Sequence, residues 1–151
     1  MTAEPHRTHP CRQCPRRRDA DLTAFSDADM AKLTNANGTT GSEADTGAPA
    51  MSCHIDQPDT AHPMRLCAGW LAVVGRNHLA IRIAMLAGTL PPDAVTAAPD
   101  WPALHPSLEA LLTERARQQA EQPQPTAAEQ PAPPTPPTHH YPVLRTPARE
   151  R

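Results

Sequence analysis

Cys67-Ala68-Gly69-Trp70-Leu71-Ala72-Val73-Val74-Gly75 opens the longest apolar stretch of the chain. It sets a thiol at the mouth of the best candidate core helix, so core and cysteine chemistry meet at one point. Beyond Gly75, Leu79, Ile83 and Leu86 recur at i, i+4, i+7, with Ile81 and Met85 beside them. That spacing predicts an amphipathic helix and gives the stripe to the core. Gly88 is a natural C′ residue, and Pro91-Pro92 confirm the stop. Arg76, Asn77, His78 and Arg82 break the run, which therefore does not read as a membrane span.

Working outward, the other cysteines all lie towards the N-terminus: Cys11-Arg12-Gln13-Cys14, then Cys53. A Cys-x-x-Cys pair with two later cysteines is the pattern of four thiolates converging on one metal ion. A tight turn brings the first two sulfurs to one side, and a loop can fold Cys53 and Cys67 back to close a tetrahedron. Zinc is the expected ion, because it favours four-coordinate thiolate sites. An iron–sulfur cluster is the alternative, since four cysteines suit those clusters too. His54 competes with Cys53 as a ligand. Adjacent side chains diverge, so Cys53 is preferred. A cysteine read alone is a small buried hydrophobe, a reading that fits a Cys-x-x-Cys pair poorly.

Composition agrees that the fold needs a staple. The 151 residues include 20 prolines but only two tryptophans, one tyrosine and one phenylalanine. Aromatic side chains bury the largest areas, so their scarcity means a thin core. The net charge of -2 provides no global field towards nucleic acid. Arg16, Arg17 and Arg18 follow the knuckle and could offset the charge of a metal–thiolate centre or contact an anion such as phosphate. No aromatic residue interleaves the run, so base stacking is not indicated. The N-terminus has no apolar h-region, which points to the reducing cytoplasm, where cysteines serve as ligands or redox groups.

Elsewhere, Ser26-x-x-Asp29 resembles a capping box opening a short helix over residues 27–33, with Phe25, Met30 and Leu33 as its apolar contacts. Residues 35–49 read as a loop and Met51 to His54 as a possible strand. A last helix is expected from Ser107 to about Gln119, with Leu104, Leu108, Leu111 and Leu112 towards the core. His105, His139 and His140 read as solvated. Residues 1–9 read as a disordered lead-in, residues 10–120 as one domain, and residues 121–151 as a disordered Pro/Ala-rich tail. The expected fold is a small α-rich, or α+β, domain with an irregular N-terminal knuckle stapled by one metal ion.

Three motifs together resemble a family: Cys11-Arg12-Gln13-Cys14-Pro15-Arg16-Arg17-Arg18-Asp19, Met51-Ser52-Cys53-His54, and Cys67-Ala68-Gly69-Trp70. They are similar to those of a small family of uncharacterised actinobacterial and actinophage proteins, over roughly residues 10–95. The resemblance implies a cysteine-ligated metal domain and no particular activity. In that family the position after Cys-Pro is usually aromatic. Arg16 stands there in this chain, so an apolar cap over the site is expected to be missing.

The four-thiolate reading leaves no open coordination position, which points to a binding or regulatory module with a protein partner and away from catalysis. The rival readings are an iron–sulfur redox or sensor protein, and an enzyme using a reactive Cys-x-x-Cys pair. Arg12 and the arginines after Cys14 could lower a thiol pKa in that last case. The βαβ setting of thioredoxin-like proteins is absent from the sequence pattern.

Overall fold

A computed structural model of the chain describes residues 4–56 and 64–123. Most of the predicted C-terminal tail lies outside the described residues. The described residues form four α-helices: α1 (Asp27–Asn35), α2 (Ala68–Val74), α3 (Leu79–Leu86) and α4 (Leu108–Glu121). Short 3-10 turns at Leu22–Ala24, Gly75–Asn77 and Pro92–Val95 link them. Among the described residues no strand forms. The expected strand at Met51 to His54 reduces to one isolated bridge between Ser52 and Leu66. The segment is too short, and too close to the turn at Cys53, to propagate a ladder.

Local chemistry sets the helix starts. Ser26 and Asp29 complete the capping box: Ser26 Oγ accepts from the Asp29 N–H at 3.2 Å, and Asp29 accepts from the Ser26 N–H at 3.1 Å. Helix α1 then runs one half-turn past the predicted end, to Asn35. Ser107 caps α4 by accepting from Ala110 N–H at 3.1 Å. Gly88, at φ 71°, ends α3 in the left-handed conformation, with its N–H donated to Met85.

Two apolar clusters form the core. The larger joins the four cysteines to Trp70, Leu71 and Val74 of α2, Ile81 of α3, and Leu90, Ala94 and Val95 beyond it. The smaller packs Met30 and Leu33 of α1 against Leu22 and Leu111 of α4, and Met51 touches both. Trp70 is fully buried and donates its indole N–H to Ala36 O at 3.0 Å, pinning the end of α1 to α2. The predicted loop at residues 35–49 is also tied down. Ala44 accepts from Leu79 N–H at 2.8 Å and donates to Asn77 O at 2.9 Å.

Helix α3 corrects the sequence reading. Ile81 is buried, whereas Leu79, Ile83 and Leu86 are exposed, Leu86 by 89%. The i, i+4, i+7 stripe is real but faces outward. Gly75 allows a sharp turn after α2, with Val95 so close that a Cβ at Gly75 would meet its Cγ1 at 2.6 Å. That turn fixes the roll of α3, so Ile81 and the partly buried Ala84 and Met85 face the core.

Candidate metal centre

The four cysteines come from three segments: the N-terminal knuckle, the Cys53 turn and the start of α2. All four are free thiols and all are buried, none more than 7% exposed. The knuckle is a tight turn in which Cys14 N–H donates to Cys11 O at 3.0 Å and Arg17 N–H donates to Cys14 O at 3.1 Å. Gly69 lets α2 press on it. A Cβ at Gly69 would lie 2.7 Å from Cys14 Sγ and 3.2 Å from Arg16 Cβ.

The thiols meet in two pairs. Cys14 Sγ and Cys67 Sγ lie 3.7 Å apart. Cys11 faces Cys53, and it also feels the charge of Cys67. The hydrogen bond shared with Cys14 brings Cys67 down to about 7, helped by the Trp70 and Gly69 N–H groups and by Arg16. The same bond, with burial, pushes Cys14 up. Burial first, and then the charge of Cys53, pushes Cys11 up to about 11. As they stand, no three His, Cys, Asp or Glu side chains form a ready-made ion-binding group among the described residues.

The arginine run does not act as one patch. Arg17 is held by a two-point ion pair to Asp19, at 2.8 and 2.6 Å. Arg18 is exposed. Arg16 turns inward and is fully buried. Its Nε, Nη1 and Nη2 have no hydrogen-bond partner among the described residues. Its charge acts on Cys14 and Cys67 from beyond hydrogen-bond range. His54 is exposed and packs edge-on to Phe25 at a centroid distance of 5.8 Å. His105 is buried, contrary to its solvated reading, because its N–H donates to Arg16 O at 2.7 Å and draws the segment inward.

A second polar cluster had no signal in the sequence. Asp56 accepts from Arg7 at 2.7 Å and from Arg65 at 3.0 Å through each of its two oxygens. Its carboxylate is 5% exposed. Asp56 N–H donates to Cys53 O, and Cys53 N–H donates to Arg65 O. The clamp therefore fixes the Cys53 turn against the strand-like approach to Cys67. The three residues lie too far apart in sequence for any local pattern to pair them.

The chain belongs to the family of unknown function DUF6283, whose model matches residues 6–130. No curated protein and no solved structure matches it. Among the described residues, no helix is long and apolar enough to cross a membrane.

Proposed function

We propose that Cys11, Cys14, Cys53 and Cys67 hold one structural zinc ion, and that the protein is a small binding or regulatory module built around it. The Cys14–Cys67 separation of 3.7 Å carries this reading. A tetrahedral zinc with Zn–S bonds of ~2.3 Å needs sulfurs about 3.8 Å apart, and the spacing of this pair is close to that. Cys11 and Cys53 would close in on the same ion. The ion would supply cross-linking of three segments, which a core poor in aromatic residues lacks. Four thiolates around Zn²⁺ leave a negative centre, and the buried Arg16 cation stands beside two of them. A closed ligand set leaves no position for a substrate, which favours a protein partner over a reaction.

The pairing of thiols two and two supports a second reading, a two-iron cluster with one pair on each iron. Protein purified without oxygen separates the two by metal analysis and an absorption spectrum. The expected result is one zinc per chain, no visible colour, and loss of both metal and cooperative unfolding in Cys14→Ser and Cys67→Ser. Iron with visible charge-transfer bands would establish the cluster instead. Metal-free protein whose unfolding is unchanged by Cys→Ser would sink both readings.

A further inference from the structure

An apolar groove of about 480 Å³ lies between α1 and the segment from Pro49 to Ser52. Leu33 and Trp70 stand behind it and are themselves buried. The surface it offers comes from Phe25 and Met51, both half-buried, and from Met64, which is 63% exposed. Methionine is flexible and polarisable, so two of them beside a phenyl ring suit an apolar side chain that enters in no single fixed pose. The charges on the rim offset each other, since Lys32 pairs with Asp29 at 3.4 Å. A groove of this size takes a few side chains and not a folded domain.

Helix α4 delivers the chain to this groove. Gln122, just past its end, donates to Thr23 Oγ1 at 2.6 Å, and Arg115 donates to Phe25 O at 3.0 Å. Thr23 is two residues from Phe25, about 7 Å of chain. Residues 124–151 continue from that point, outside the described residues. Residues 123–140 include seven prolines. A Pro-rich spacer of that length reaches up to about 55 Å, several times the radius of gyration of roughly 13 Å for a domain this size. From residue 122 onward the only large apolar side chains are Tyr141, Val143 and Leu144, and they stand together as Tyr141-Pro142-Val143-Leu144. A residue before proline favours extended backbone, the form in which a peptide lays side chains into a groove. The apolar stripe of α3 is the other exposed surface, but the hydrogen bonds at the end of α4 lead to residues 20–25 and not to α3.

We infer that the groove walled by Phe25, Met51 and Met64 is the docking site of the chain's own Tyr141-Pro142-Val143-Leu144, with residues 123–140 as the tether. The contact need only be weak. A tether of this kind supplies an effective concentration of millimolar order, so an affinity too low to hold a separate peptide at micromolar concentration suffices within one chain. The docked segment competes with any partner for the same groove. The inference stands apart from the zinc reading, since it rests on the groove and on the course of α4.

The test is NMR of the full chain with labelled methionine methyl groups. Met51 and Met64 report on the groove, Met85 reports on α3, and the buried Met30 is the control. Nuclear Overhauser contacts are expected from the Tyr141 ring to the Met51 or Met64 methyl, unchanged on tenfold dilution. In the double variant Tyr141→Ser, Leu144→Ser those two methyl resonances are expected to move, while Met30 and Met85 stay in place. A separate peptide of residues 138–147 added to the double variant is expected to return them towards their original positions at about 1 mM. Both substitutions lie outside the described domain, so its folding is not at stake. Absence of the Tyr141 contacts would overturn the inference, as would no response to roughly 10 mM peptide. Contacts that fade on dilution would assign the groove to a second copy, and a shift of Met85 in place of Met51 and Met64 would move the docking to α3.

Discussion

At the scale of single residues, Gly69 and Arg16 decide how the knuckle meets the helix. Gly69 lies inside α2, where alanine would ordinarily help by about 1 kcal/mol. A methyl group there would meet Cys14 Sγ at 2.7 Å, a contact that forces the knuckle or the helix to move. Overpacking of this kind costs typically 1–3 kcal/mol, which outweighs the propensity gain. Gly69→Ala is therefore expected to lower stability in urea unfolding, by up to about 2 kcal/mol net. An unchanged or raised midpoint would show that the contact relaxes freely. The sequence carried the motif Cys67-Ala68-Gly69-Trp70 but not the reason for its glycine, because the sulfur that needs the space belongs to Cys14, 55 residues away. Arg16 was hidden in a different way. Three consecutive arginines look alike in a sequence, and only packing separates one turned inward from one paired with Asp19 and one in solvent.

At the scale of elements, caps and glycine stops were legible and helix faces were not. Ser26, Ser107 and Gly88 act within a few residues of themselves, so local pattern found all three. The buried face of α3 depends on the turn at Gly75 and on Val95, which no periodicity reports. Both candidate stripes of α3 are apolar, and the wrong one has the better spacing. A pair of substitutions checks the corrected face. Ile81→Ala is expected to cost about 2–4 kcal/mol, as a buried large-to-small change does. Leu86→Gln, at a site that is 89% exposed, is expected to stay within about 0.5 kcal/mol. Chemical denaturation of both variants settles the orientation, and the opposite order would restore the stripe of Leu79, Ile83 and Leu86 to the core.

At the scale of the whole molecule, the Asp56 clamp links the N-terminal segment, the Cys53 turn and the approach to α2. Its carboxyl is held below the usual range, first by the hydrogen bond from Arg65 and then by the charges of Arg65 and Arg7. A depressed carboxylate pKa stabilises the fold above the unfolded value of ~3.9 and loses that contribution as pH falls through the folded value. Stability should therefore drop below about pH 4, and Asp56→Asn should flatten that part of the profile. At neutral pH the same variant is expected to cost about 1–2 kcal/mol, the range for hydrogen bonds to a charged group with partial screening. Thermal unfolding as a function of pH reads both effects, and a profile of unaltered slope would remove the clamp from the account of acid sensitivity. The N-terminal segment has one more long reach. Leu22 N–H donates to Gln118 Oε1, Arg18 N–H donates to Ala103 O, and His105 N–H donates to Arg16 O. During synthesis these partners emerge nearly a hundred residues later, a wait of roughly 5–20 s at ribosomal rates of ~5–20 residues per second. Cys67, the thiol partner of Cys14, emerges 53 residues after it and well before these, so the ribosome delivers the cover of the thiols first and the ties of the knuckle backbone last.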